Sequence, residues 1–177
     1  MFIVRTCAFF TIFVYMKKIF VAIALLLVLA PGLGAQEVLY TDNTAIIIDA
    51  ASGQVPRICY YGVKPEASDI TALGSSGARA CEAYPTHNSS SENLEALSVR
   101  MPDGNLSADL RVYAVRRETW EGGEVLTVCC RDPEYPLEVD IKYKSYCAQD
   151  VIGTWTEIRW KGTKKTKVVL SRFDSGC

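Results

Sequence analysis

The chain has 177 residues, enough for one ordinary domain, with 19 basic and 20 acidic side chains and a formal net charge of −1. Residues 1–35 contain three of the basic side chains and no acid, so 16 basic and 20 acidic residues remain beyond them, a net charge of about −4. A mildly acidic chain without a basic stripe gives no support for nucleic-acid binding, and we predict no nucleic-acid partner.

The N-terminal region has the pattern of a signal peptide. A basic Met-Lys-Lys at residues 16–18 precedes an apolar run of 12 residues from Ile19 to Ala30, and small residues follow as far as Ala35. Twelve residues are too few to cross a bilayer, which takes roughly 20 apolar residues, so a membrane anchor is the weaker interpretation. We predict cleavage after Ala35 and export, to the periplasm of a Gram-negative bacterium.

Residues 1–15 form another apolar stretch, upstream of this complete signal pattern. We interpret them as a misannotated upstream extension, with translation starting at Met16. The predicted organisation is therefore an extension over residues 1–15, a signal peptide over 16–35 and a β domain over 36–177.

The β domain is predicted to begin with a hairpin. Ala45 to Ile48 is β-branched and bounded by turn residues, and Gln54 to Tyr61 returns as its partner strand. Val63 to Ala80 is polar, rich in glycine and serine and without a period, which predicts a long loop. Cys81 to Tyr84 is at best a short edge strand, because Pro85 ends it.

Further strands follow at short intervals. Leu94 to Met101, Leu110 to Val115 and Val125 to Cys130 have the composition and alternation of strands. Turn signals separate them at Pro102 to Asn105 and at Glu121 to Gly123.

The clearest pattern in the sequence extends from Leu137 to Trp160. Its first half sets four apolar residues against four charged ones, namely Leu137, Val139, Ile141 and Tyr143 against Glu138, Asp140, Lys142 and Lys144. Such alternation predicts a strand with one buried and one solvated face. A second strand starts at Val151, and a last one covers Lys167 to Leu170. About nine strands without a helical period predict an all-β fold, an antiparallel β-sandwich.

Few residues suggest catalysis. His87 is the single histidine, and without a Gly-x-Ser-x-Gly elbow it is predicted to be a surface-loop residue. Glu138 and Asp140 are close enough for a glycosidase carboxylate pair, but their alternation with lysines predicts a solvated face with cross-strand ion pairs. The sequence contains no phosphate loop, dinucleotide fingerprint or metal-binding spacing, so we predict no cofactor and no metal site.

Cysteines and aromatic residues each leave two interpretations open. Six cysteines follow residue 35 without a CxxC pair, which favours small buried or half-buried thiols over one disulfide in an exported protein. The aromatic side chains either fill the core or offer flat surfaces on which sugars stack. They are Tyr60, Tyr61, Tyr84, Trp120, Tyr143, Tyr146, Trp155 and Trp160.

Several motifs follow one another in order along the chain. They are Tyr60-Tyr61-Gly62, Glu82-Ala83-Tyr84-Pro85, an Asp103-Gly104 turn with Asp109-Leu110-Arg111 after it, and the block from Asp132 through Leu137 to Ile158. This series, over residues 38–176, resembles the N-terminal β-sandwich domain of glycoside hydrolase family 36 α-galactosidases. The last block contributes most to the resemblance.

The resemblance implies an accessory domain without catalytic residues. In that family the supersandwich-like domain precedes a (β/α)₈ barrel, which holds both catalytic aspartates, and a small β domain. The implied role is to support barrel packing, oligomer contacts and substrate access, with α-galactosides, the barrel and further subunits as partners of full-length relatives. Because the family's sandwich is longer than this chain, we expect a domain that is incomplete at its C-terminus, has open strand edges and is marginally stable.

The resemblance also implies a loop near the substrate. In family members the loop after the Tyr-Tyr-Gly motif reaches the active-site mouth of a neighbouring subunit. Its counterpart here is Lys64 to Pro85, and Asp69, Arg79 and Tyr84 are its predicted sugar-facing residues. A rival from another class is a stand-alone carbohydrate-binding β-sandwich module that uses exposed aromatic residues on one sheet face.

Overall fold

The structure, a computed structural model, describes residues 36–74, 80–87, 89, 95–163 and 166–174. The predicted upstream extension and signal peptide lie outside these residues. The elements are β1 (Gln36–Tyr40), β2 (Thr44–Asp49), β3 (Arg57–Val63), α1 (Ile70–Gly74), β4 (Cys81–Glu82), β5 (Leu97–Arg100), β6 (Arg111–Trp120), β7 (Gly123–Arg131), β8 (Leu137–Tyr146), β9 (Val151–Trp160) and β10 (Val169–Phe173). Within the described part of the chain, no helix has the length and apolar character that a membrane crossing requires.

The strands of the described residues form three antiparallel sheets. One has the order β1-β2-β3-β4, a second has the order β6-β7-β8-β9, and β5 pairs with β10 in a two-stranded sheet. The predicted all-β antiparallel fold is therefore confirmed. The two hairpins that were clearest in the sequence, β2–β3 and β8–β9, are both present.

A hydrophobic core takes its side chains from both four-stranded sheets. The alternating apolar residues of β8, from Leu137 to Tyr143, are each at most 3% exposed. They share one cluster with residues of the other elements: Leu39, Ile46, Ile48, Leu97, Val99, Leu126, Val128 and Cys130. In β2, β5, β7 and β8 every second residue belongs to this cluster, so these strands turn one face towards the core, as expected for a sandwich.

Two elements were not predicted. β1 contains a single fully buried residue, Leu39, which is too little for an alternation to be recognised. α1 lies inside the segment predicted to be a loop, and five residues are too few to display a helical period. It packs against β2 and β3, so tertiary contacts stabilise it more than its own composition does.

Aromatic rings lie over glycines at three places in the described residues. Gly62, Gly122 and Gly162 each follow an aromatic residue by two positions, and that residue's ring occupies the space where a β-carbon would be. The rings belong to Tyr60, Trp120 and Trp160. These glycines therefore make room for a neighbouring ring.

The turn between β8 and β9 is held by Asp150. Its backbone has φ 55°, a left-handed conformation that asparagine and aspartate tolerate best among residues with a side chain. Its Oδ1 accepts hydrogen bonds from the Thr41 hydroxyl and from the Asn43 backbone N–H at 3.1 Å. Both bonds lower the pKa of Asp150, and the bond from Thr41 has the larger effect. They also connect this turn to the β1–β2 turn.

We predict that Asp150→Asn makes folding less sensitive to acid. Folding lowers the pKa of Asp150, so the ionised carboxylate stabilises the folded state. This stabilisation is fully present above the unfolded pKa of about 3.9 and is lost as the pH falls through the lower folded-state pKa. Asparagine keeps the left-handed turn but does not titrate. The urea midpoint should therefore fall less between about pH 6 and about pH 3 in Asp150→Asn than in the wild type. Asp42→Asn, at an exposed position in the adjoining turn, is the control, and an unchanged pH dependence in Asp150→Asn would contradict the prediction.

Candidate functional site

The residues predicted to face a sugar lie in different environments. Asp69 is exposed in the turn before α1, where its carboxylate accepts a hydrogen bond from the Ser68 hydroxyl at 3.1 Å. Arg79 lies outside the described residues. Tyr84 is only 2% exposed and belongs to the hydrophobic core, which is one of the two interpretations left open for the aromatic residues. Contact between these residues and a sugar stays a prediction.

The charged face of β8 is not uniformly solvated, contrary to the expectation from its alternation. Asp140 is 1% exposed, because long side chains of β6 and β9 lie over it. Its Oδ2 lies 2.7 Å from Nη2 of Arg116, and its Oδ1 lies 2.8 Å from Nη2 of Arg159. Thr127 and Cys129, on the same face of β7, are also buried. The centre of this outer face is therefore a buried polar layer with arginines above it.

Ion pairs extend from Asp140 across β8 and β9. Arg159 also approaches Glu138 at 3.5 Å, and Lys142 lies 2.5 Å from Glu157. The predicted cross-strand ion pairs are therefore present. The hydrogen-bonded Asp140 carboxylate raises the pKa of Arg159, as expected for a stable charge pair. Because both oxygens of Asp140 contact guanidinium groups, this aspartate has a structural role in the described chain.

We predict that Asp140→Ala lowers the free energy of unfolding by about 2–3 kcal/mol, since it leaves two arginines without their shared counter-ion. The cost is below that of a fully buried pair because both guanidinium groups are partly exposed. Glu157→Ala, which removes an exposed carboxylate from the same face, should cost less than about 1 kcal/mol. Urea unfolding measures both values, and equal costs would contradict a central role for Asp140.

Aromatic side chains on this outer face have cations against their rings. Lys144 Nζ lies 3.8 Å from the ring centroid of Trp120 and 5.0 Å from that of Tyr146. Lys142 lies over Trp155 at 5.8 Å in the same way. Trp120 and Tyr146 also contact each other edge to face, with centroids 5.3 Å apart. A sugar would have to displace these cations in order to stack on the ring faces that they cover.

His87 pairs with a carboxylate, and the described cysteines are free thiols. His87 is exposed, and its Nδ1 lies 2.9 Å from Oε2 of Glu95. Cys59, Cys81, Cys129, Cys130 and Cys147 are free thiols, while Cys177 lies outside the described residues. Burial raises the pKa of Cys130 to about 12, so it is a core thiol and not a nucleophile at neutral pH. Over the described ranges, no three His, Cys, Asp or Glu side chains are grouped to hold a metal ion.

β10 exposes apolar side chains on an open edge. Val169 is 55% exposed, Leu170 43% and Phe173 66%, although each is large and apolar. In the described part of the chain β10 pairs with β5 alone, so one of its edges has no strand partner. An apolar strand with a free edge is a typical place for contact with another domain or chain.

The fold and its core define an antiparallel β-sandwich domain. Comparison with family models is more specific: residues 53–177 match the glycosyl hydrolase family 36 N-terminal domain. The chain belongs to this family, which confirms the resemblance inferred from its motifs. Comparison with curated proteins gave no match.

Solved α-galactosidases contain the same fold. The α-galactosidase from Lactobacillus brevis aligns with a TM-score of 0.66 and 16% identity over 81% of this chain. A variant of the family 36 α-galactosidase AgaA from Geobacillus stearothermophilus, in complex with 1-deoxygalactonojirimycin, aligns with a TM-score of 0.67 and 18% identity over 79%. The galactosidase domain of the α-galactosidase-sucrose kinase AgaSK aligns with a TM-score of 0.65 and 18% identity over 78% of this chain.

These alignments cover 23–24% of the solved chains. This chain therefore spans about a quarter of their length. At such low identity the likeness shows a common fold and does not transfer an activity to this chain.

Proposed function

We propose that the chain is the non-catalytic N-terminal accessory domain of an exported α-galactosidase-like glycoside hydrolase, whose catalytic barrel lies outside this chain. The family match at residues 53–177 is the observation on which this rests. The coverage of solved α-galactosidases supports it, since three quarters of their length has no counterpart here. The signal-peptide pattern at residues 16–35 supports export, to the periplasm of a Gram-negative bacterium.

The open edge of β10 gives this domain a surface for barrel packing and oligomer contacts. A large apolar side chain gains about 1.5–3 kcal/mol when it passes from full exposure to full burial. Val169, Leu170 and Phe173 are about half exposed, so covering all three stabilises the docked domain by a few kcal/mol. The segment from Lys64 to Pro85 contributes to substrate access at the barrel of a full-length oligomer.

The alternative, a stand-alone carbohydrate-binding module, depends on flat aromatic surfaces on one sheet face. Lysines already lie against Trp120, Tyr146 and Trp155 on the outer face of the β6–β9 sheet. This arrangement favours the accessory role over a module of that type.

We predict that the purified chain does not release nitrophenol from a nitrophenyl α-galactoside above the buffer rate. The physical reason is that the family's catalytic aspartates belong to the barrel, while Asp140 of this chain is engaged by two arginines. A commercial α-galactosidase in the same assay is the positive control. Saturable turnover by the chain alone would contradict the proposal.

Sequencing the natural transcript beyond codon 177 tests the proposal from another direction. An open frame that encodes a (β/α)₈ barrel is the expected result. Unrelated coding sequence after a stop codon would favour a stand-alone protein.

We predict that the purified chain self-associates through β10. Leu170→Lys combined with Phe173→Lys places two charges on the open apolar edge and should convert associated species to monomer in sedimentation velocity experiments. Tyr61→Lys, at a 62% exposed position on β3, is the matched control and should sediment like the wild type. A wild-type chain that is monomeric at every concentration would contradict the role assigned to this edge.

A further inference from the structure

The connection between β5 and β6 contains an aspartate followed by a glycine in a tight turn. The backbone N–H of Gly104 donates to the carbonyl oxygen of Met101 at 2.9 Å, and that of Met101 donates to the carbonyl oxygen of Asn105 at 2.8 Å. Asp103 and Gly104 are exposed, whereas Met101 is 2% exposed and belongs to the hydrophobic core. A solvent-exposed Asp–Gly bond therefore lies in the same turn as a core residue.

An aspartate followed by glycine reacts slowly with its own backbone. The glycine nitrogen bonds to the carboxyl carbon, and a carboxyl oxygen leaves as water together with the amide proton, which gives a cyclic succinimide. Water then adds to either carbonyl of the succinimide, and addition at the main-chain carbonyl leaves isoaspartate, whose backbone continues through the side chain. Glycine has no β-carbon to hinder the attack. Only the protonated acid reacts readily, because a carboxylate would have to expel an oxide ion.

Both reacting groups of this bond are held in the folded chain. Oδ2 of Asp103 accepts a hydrogen bond from the Tyr135 hydroxyl at 2.7 Å, and its Oδ1 accepts one from the backbone N–H of Asn105 at 3.0 Å. Both bonds stabilise the ionised carboxylate and lower the pKa of Asp103, and the bond from Tyr135 has the larger effect. The attacking nitrogen is restrained as well, because the Gly104 N–H is bonded to Met101.

The loop before β8 fixes the position of the Tyr135 hydroxyl. Oδ1 of Asp132, a residue that is 6% exposed, accepts hydrogen bonds from the backbone N–H groups of Glu134 at 2.8 Å and Tyr135 at 2.9 Å. The side-chain amide of Asn105 donates to the Tyr135 hydroxyl at 3.0 Å, so the proton of that hydroxyl is directed to Asp103. The contact with Asp103 is therefore built into two neighbouring loops of the fold.

We propose that the Asp103–Gly104 bond is a site of isoaspartate formation and that the Tyr135 hydroxyl protects it. Isoaspartate would add a methylene group to the backbone of the turn, and the hydrogen bond between Met101 and Asn105 spans this segment. Isomerisation would therefore open the turn and loosen Met101 from the core. The proposal concerns the chemistry of the chain itself and does not rest on the accessory role.

The test is to store the purified chain at physiological temperature and to quantify isoaspartate at residue 103 by peptide mapping. Tyr135→Phe keeps the ring and removes the hydroxyl, so isoaspartate should form about threefold faster or more. Tyr113→Phe removes the hydroxyl of a tyrosine on β6 whose ring lies against Arg131, and it should keep the wild-type rate. Equal rates in Tyr135→Phe and the wild type would overturn the protective role.

A pH profile separates the effect of the hydrogen bond from simple loosening of the turn. Above the pKa of the reacting acid the rate should fall about tenfold per pH unit, because the protonated fraction does so. Loss of the bond from Tyr135 moves the start of this fall to higher pH, whereas loosening alone raises the rate by the same factor at every pH. Profiles of identical shape in Tyr135→Phe and the wild type would contradict the assignment to the hydroxyl.

The wild-type chain unfolded in urea gives the rate of the unprotected bond. Isoaspartate at residue 103 should form about tenfold more slowly in the folded chain than in this reference. Circular dichroism verifies the fold of both variants, and if Tyr135→Phe does not fold, the folded and unfolded wild type decide. Equal rates in the two states, or no isoaspartate in the unfolded chain, would overturn the proposal.

Discussion

β8 is paired on both edges and buries its whole inner face and the centre of its outer face, and the sandwich is arranged around this strand. On the inner face, Val139 and Ile141 require apolar partners from the opposite sheet. On the outer face, Asp140 would be costly as an isolated buried charge. Arg116 and Arg159 remove that cost, so β6 and β9 must hold arginine at matching positions. β8 thus constrains which residues can occupy its own sheet and the sheet that packs against its inner face.

The hairpin register of β8 and β9 could be predicted from the sequence, but the full ion network could not. Once the connection from Cys147 to Asp150 is placed, counting back along the strands sets Glu138 opposite Arg159. Arg116 reaches Asp140 across β7 from a strand whose register shifts between Val112 and Ala114. Such an irregularity leaves no mark in the alternation pattern. The burial of Asp140 therefore could not be foreseen, although its ion-pairing could.

Segments whose structure depends on distant contacts were the least predictable. Gln36–Tyr40 and Ile70–Gly74 have too few buried residues to show a period, and neighbouring strands decide their conformation. The same holds for Arg57, Glu82 and Arg111, which line one hollow although they are far apart in the sequence. Backbone pairing brings them together, because Arg57 lies opposite Glu82 in the β3–β4 ladder and Val112 exchanges backbone hydrogen bonds with Gly53 and Gln54. The sequence motifs identified the family correctly, but they did not indicate that this hollow exists.

The glycines that lie beneath aromatic rings have a consequence for how such domains diverge. At Gly122 and Gly162 the space for a methyl group is filled by Trp120 and Trp160, so a methyl group there would collide with the ring in its present position. Selection would act on the two positions together: alanine becomes acceptable where the tryptophan has been lost, and not before. In this chain the aromatic-x-Gly pattern therefore marks a ring that lies over the glycine two residues after it, and correlated substitution among relatives would reveal such a pair without a structure.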